Sequence, residues 1–265
     1  MDRTKYRVVE DKGHRERIAR TADVVSHVRY LEGTKKNPLF VDPFAHLFAT
    51  PEAERMLAGG LQRWPFFADY LSVRERFFDD RLEALFSELG MSQLVILGAG
   101  NDMRAERLSF LKSTSVFEVD LPDKIAAKEA VLNEALGKTP GNVAYIGADV
   151  SQPGFVQLLS RWGFDPHKKT VFLLQGLVYY MKPEGVDELF DEIAMHGTSG
   201  DAVLFDQVSE DMSETLPYPP DPLAYIADRG FTATEHALLG DLTSDFTGKT
   251  YTATWWVVVA VIGPF

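Results

Sequence analysis

Three short segments concentrate the residues able to do chemistry: LGAGND at 97–102, FEVD at 117–120 and GAD at 147–149. Gly98 and Gly100 can take positive φ and let a ligand approach the backbone closely. Glu118 and Asp120 lie 20 and 22 residues beyond Gly98, a spacing at which a carboxylate can accept hydrogen bonds from both ribose hydroxyls of a nucleoside. Asp149 stands where a nucleobase amine would lie. A glycine pair alone is weak evidence, because tight turns also use it. Three such segments in order, each after an apolar run, point to a nucleoside cofactor held at the carboxyl ends of strands.

Details of the first segment choose between cofactors. A dinucleotide fingerprint needs a third glycine at position 103, where this chain has Met103. Asp102 would also set a negative charge beside a pyrophosphate, which is unfavourable in a partly desolvated cleft. S-adenosylmethionine has no phosphate, and its ammonium and sulfonium are cationic, so clustered carboxylates attract it. The balance favours a methyltransferase over a nicotinamide oxidoreductase.

The elements that must position these segments are legible in the hydrophobic pattern. Up to about residue 90 the chain reads as helical, with apolar residues at helical spacing over 21–32 and 66–89 and a new element starting at Asp42-Pro43. Beyond Gly90, short apolar runs at 93–97, 115–119, 143–146, 170–174 and 202–205 alternate with helical stretches at 122–136, 152–162 and 183–196. Alternation of this kind marks a parallel, helix-covered sheet. Thr250 to Ile262, rich in β-branched and aromatic residues, reads as a terminal strand that pairs with an existing edge. The reading is an α/β sandwich with an N-terminal helical cap over 1–90 and a cofactor-binding domain over 91–265.

Composition narrows the function. The chain has 265 residues, 27 Lys and Arg against 39 Asp and Glu, and a net charge of −12. An acidic chain is a poor binder of phosphate backbones, so no nucleic-acid partner is expected. Cysteine is absent, which removes disulfide scaffolds, thiolate metal sites and cysteine nucleophiles. The scattered histidines form no metal-ligand spacing. The polar N-terminus and the eight-residue maximum apolar run, Trp255 to Ile262, give no signal peptide and no membrane span, so a cytoplasmic enzyme is expected.

The chain resembles the leucine carboxyl methyltransferase family, S-adenosylmethionine-dependent enzymes with the Rossmann-like class I methyltransferase sheet and helices on both faces. The resemblance rests on TADVVSHVRY at 21–30, DPFA at 42–45, RERFFDD at 74–80 and LGAGNDMRAERL at 97–108. It continues through FEVDLP at 117–122, Lys128, ADV at 148–150 and QGLVYYM at 175–181. It implies that Gly98 and Gly100 lie against the methionine moiety and that Arg74 reaches the cofactor carboxylate as a charge-assisted pair. It also implies that Asp120 holds the ribose, with Glu118 as a sharing or supporting carboxylate, and that Asp149 and Val150 flank the adenine. The family usually carries glutamate where this chain has Gln175, so that contact to the cofactor's amino group should be weaker. Tyr180 matches the family tyrosine near the transferred methyl group.

The same residues admit plainer roles. Arg74 could pair on a solvated helix face, Arg104 reads as a surface cation, Tyr179 as core, and Trp255 and Trp256 as strand packing. On the acceptor side, a carboxylate is already ionised at pH 7 and needs no base. A hydroxyl would be helped by one, and His27, His46, Asp23 and His236 are candidates. Arg29 could instead clamp a carboxylate substrate. The stiff segment Leu216 to Pro222 reads as a loop over the cleft. With Trp64, Phe66, Phe67, Tyr70 and Tyr218 it suggests a small, largely apolar acceptor such as a natural-product metabolite. A protein C-terminal carboxylate, or cofactor binding without turnover, are the alternatives.

Overall fold

A computed structural model describes residues 12–137, 139–208, 218–251 and 255–263. Two long helices, α1 (Lys12–Gly33) and α3 (Phe67–Glu88), flank a 3-10 turn (Ala45–Phe48) and α2 (Pro51–Arg63). The alternating part follows as β1 (Gln93–Leu97), α4 (Arg104–Arg107), β2 (Ser115–Asp120), α5 (Pro122–Leu136), β3 (Val143–Gly147), α6 (Phe155–Ser160) and β4 (Thr170–Leu174). Then come α7 (Pro183–His196), β5 (Ala202–Val208), α8 (Pro222–Ala227), β6 (Phe231–Leu238), α9 (Leu239–Thr247) and β7 (Trp255–Ile262).

The seven strands form one sheet in the order β3-β2-β1-β4-β5-β7-β6. β1 to β5 are parallel, whereas β7 runs antiparallel to both β5 and β6. β7 therefore pairs with an existing strand, as expected, and that strand is β5, but β7 does not end the sheet. β6 covers its outer side, and the alternating burial of FTATEHAL is the pattern of a strand with one solvated face. Residues 252–254 at the start of the expected terminal strand, and Leu216 and Pro217 of the proline-rich segment, lie outside the described residues.

Runs such as QLVIL and TVFLL are buried at every position, so both faces need cover. On one face Leu94, Ile96, Leu173, Leu204 and Val257 pack against Val24, Tyr70, Phe77, Leu82 and Leu239 from α1, α3 and α9. On the other, Val95, Phe117, Phe172 and Val203 meet Phe155, Leu189, Phe190 and Ile226 from α6, α7 and α8. The two-residue period of a strand fixes which face each polar residue takes. Glu118 stands opposite Ile96 and Asp206 opposite Val257, which puts both on the α3 side. Among the described residues no helix is long and apolar enough to cross a membrane.

Candidate active site

Strand order reverses between β1 and β4, and the loops leaving these strands meet at the sheet's carboxyl edge, where α/β sheets bind ligands. The glycine loop after β1 is bound to β2. Gly98 and Ala99 donate their backbone N–H groups to Val119 O at 2.9 and 3.1 Å, and Gly100 N donates to Asp120 Oδ2 at 2.7 Å. Asp120 Oδ1 accepts from Leu121 N at 2.7 Å, and the carboxylate is only half-buried. Both glycines have positive φ, +66° and +51°. A Cβ on Gly98 would sit 2.8 Å from Leu177 Cδ1, and one on Gly100 would sit 3.3 Å from Ala22 Cβ. Leu177 and α1 thus close directly over the glycine turn.

Beside the turn lies a buried ionic network that joins α1, α3, α4 and the loop after β4. Arg104 is fully buried, not the surface cation expected of it. It donates Nε to Asp79 at 2.8 Å and Nη2 to Gln175 Oε1 at 2.7 Å, and it pairs with Asp102 and with Glu75. Arg107 binds both Glu75 and Asp79. Burial opposes ionisation of Glu75, but Arg104, Arg29 and Arg107 outweigh it and hold the carboxyl well below the usual range. Gln175 donates its amide to Glu75 Oε2 at 2.8 Å, so both ends of its side chain are engaged by protein.

Arg74 is buried too, on the sheet rather than on a solvated face. Its Nη1 donates to Asp206 Oδ2 at 2.7 Å and to Tyr179 Oη at 3.1 Å, and its guanidinium lies 5.0 Å from the Trp255 ring centre. Tyr179 packs against the hydrophobic core on both faces of the sheet, as expected, and it also touches Arg74 and Tyr180, the latter with ring centres 4.7 Å apart. Tyr180, half-buried, is bonded to Thr21 of α1, and burial raises its phenol pKa.

The remaining expected residues divide between the cleft and the interior. Asp149 sits at the end of β3, where Oδ1 accepts from Ser151 N and Oγ at 3.0 and 2.6 Å. It lines a cavity of about 210 Å³ with Ala148, Pro153, Gly154, Phe155 and Leu158, and Val150 is buried beside it. Glu118 instead turns under α5. It is fully buried against Lys128, and burial pushes its carboxyl up to about 8 despite that partner.

On α1, Arg29 is buried and occupied. Its Nη2 donates to Asn101 O at 2.5 Å, and it faces Asp42 and Glu75 at 3.3 and 3.7 Å. Asp23 accepts from Asn101 Nδ2 at 2.8 Å. His27 differs from the other candidate bases because it is buried and its Nδ1 has no hydrogen-bond partner. His46 and His236 are exposed. Tyr218 is buried against α7, donating to Asp187 Oδ1 at 2.8 Å, which places it in the core on the far side of the sheet.

The leucine carboxyl methyltransferase family pattern matches residues 22–194. A "Putative S-adenosyl-L-methionine-dependent methyltransferase" of Parafrankia sp. (strain EAN1pec) is 32% identical over 259 residues, covering 90% of this chain and 81% of the relative. The chain belongs to the leucine carboxyl methyltransferase family. Two crystal structures share its fold at TM-score 0.64. One is a DUF574 family protein from Streptomyces avermitilis, at 14% identity and covering 89% of this chain and 96% of the neighbour. The other is from Thermobifida fusca, at 17% identity with coverages of 92% and 94%.

Two residues of this candidate site do not stand out in the sequence. Asp206 and Trp255 both touch Arg74. Asp206 had a signal, a lone carboxylate inside the apolar run AVLFDQV, and the expected strand stopped at Phe205, one residue short of it. Trp255 had none, since nothing local distinguishes it from Trp256.

Proposed function

We propose that this chain is an S-adenosylmethionine-dependent O-methyltransferase that acts on a carboxylate or hydroxyl of a small, largely apolar metabolite. The methyltransferase class follows from family membership. The observation that carries the acceptor class is the aromatic cluster around Arg74: Tyr70 meets Trp255, Trp255 meets Tyr179 and Tyr179 meets Tyr180, with ring centres 6.3, 6.0 and 4.7 Å apart. A net charge of −12 weighs against a polyphosphate acceptor.

The residues present suit this cofactor better than a dinucleotide. Backbone N–H groups of a glycine turn hold a pyrophosphate when they are free. Here those of Gly98, Ala99 and Gly100 are spent on Val119 and Asp120. Asp120, half-buried, retains acceptor capacity for ribose hydroxyls. Asp149 borders the cavity for the adenine, with Val150 buried beside it, and Arg74 is the cation for the carboxylate. When bound, S-adenosylmethionine supplies an electrophilic methyl group.

The chain's own task is to hold the acceptor oxygen in line and exclude water. α1 does the second by lying on Gly100 through Ala22 and on Asn101 through Asp23. For a hydroxyl acceptor, the unpartnered Nδ1 of His27 is the base; a carboxylate acceptor needs none.

Calorimetric titration with S-adenosylhomocysteine, with NADH in parallel, tests the cofactor. Micromolar one-to-one binding of the first alone is the expected result, and binding of NADH alone overturns the reading. Mass spectrometry of paired acceptors, each carboxylic acid against its matched alcohol or phenol, then tests the acceptor class. Methylation of nitrogen acceptors only would overturn the oxygen assignment.

A further inference from the structure

Arg74 is held in an asymmetric way. Both of its hydrogen bonds leave from Nη1, to Asp206 and to Tyr179. Nε, which belongs to the opposite edge of the planar guanidinium, is buried without a partner. That edge, Nε with Nη2, is the one that receives a carboxylate through two parallel bonds. Asp206 is itself fully buried, and it is fixed on three sides. Oδ1 accepts from Gly176 N at 2.6 Å, while Oδ2 accepts from Arg74 and from Trp255 Nε1, the latter at 2.8 Å. Trp255 also lays its ring under the guanidinium, which limits rotation of the fork.

We propose that Asp206 and Trp255 are positioning residues, which lock the Nη1 side of Arg74 and so aim its free edge at the carboxylate of the bound cofactor. The inference rests on the cofactor reading above. It assigns to the C-terminal half of the sheet, β5 and β7, a part in gripping the methionine end. The same Asp206 ties that grip to the loop after β4 through Gly176.

The test compares S-adenosylmethionine with its decarboxylated form, which keeps the sulfonium and the amine and lacks only the carboxylate. Wild type should prefer the intact cofactor, and Arg74→Met sets the level at which that preference is gone. Asp206→Asn should weaken binding of the intact cofactor about tenfold while leaving the decarboxylated form within about twofold. Trp255→Phe keeps an aromatic ring beside the guanidinium and removes the Nε1 donor, so it should move the preference in the same direction by less. It also decides the matter if Asp206→Asn does not fold. Equal losses for both ligands in both variants would show a merely structural role and overturn the proposal. Tighter binding of the intact cofactor by Asp206→Asn would do so as well, since Asp206 would then compete for Arg74. Wild type that binds neither ligand would instead overturn the cofactor reading itself.

Discussion

The side-chain amide of Gln175 donates to Glu75 Oε2 at 2.8 Å, and on its other side the same residue accepts from Arg104. A neutral residue at this position is therefore matched to a charged neighbour on α3. A glutamate at 175 would bring a second carboxylate against one that three arginines already hold ionised.

Gln175→Glu should accordingly lose about 1–3 kcal/mol of stability at pH 7.5. The sign of its pH dependence follows from the raised pKa of the new carboxyl. In the unfolded chain it ionises near pH 4.3, while in the fold it stays protonated longer, so the penalty grows as pH rises. Thermal melts of variant and wild type should differ most above neutrality and converge toward pH 4.5. A constant difference across that range would contradict the account.

Glu118 and Lys128 give a second pH-dependent pair. Glu118 is pushed up to about 8 by burial, so between pH 4.3 and 8 the native state keeps a proton that the unfolded state releases. Stability from this group is full below pH 4.3 and falls through that window. Glu118→Gln removes the loss, and its melting temperature relative to wild type should climb from pH 5 to 8 and then level off. Lys128→Met should cost about 3 kcal/mol at pH 8, because it strands a buried carboxyl.

Removing Arg104 tests the ionic network directly. It is wholly buried among Asp79, Asp102 and Glu75, and Arg104→Met would leave those carboxylates with too few cations. A loss of about 3–5 kcal/mol is expected, with a collapse of the cooperative melt if wild-type stability is ordinary. A melt unchanged within a degree would mean that the surrounding groups rearrange or take up protons at no cost.

Arg104 also marks where reading from sequence stops. Strands β1 and β4 are legible to the residue, because QLVIL and TVFLL are short apolar runs bounded by polar residues and buried on both faces. The glycine turn and Asp120 of the candidate site are legible as neighbours because they lie at two adjacent strand ends. A buried arginine is not, since its partners lie 25 and 71 residues away, at Asp79 and Gln175. α2 lies in the stretch that reads as helical, but its bounds do not show because Gly59 and Gly60 interrupt its pattern, although Thr50 caps it through Ala53 N and Pro51 starts it. β6 escaped because half its residues face solvent.

The contact between Gly98 and Leu177 is a steric prediction. At φ +66° an alanine carries the left-handed strain of about 1 kcal/mol, and its Cβ would also lie 2.8 Å from Leu177 Cδ1. Gly137 has a similar φ of +74° with nothing near the Cβ position, so Gly137→Ala measures the strain alone. Gly98→Ala should exceed it by about 1–2 kcal/mol in denaturant melts. Trimming the obstacle should return that excess: Gly98→Ala with Leu177→Ala should be more stable than the sum of the single changes implies. Strict additivity of the two would show that Leu177 does not pack on the glycine turn, and with it would go the picture of a turn closed from above.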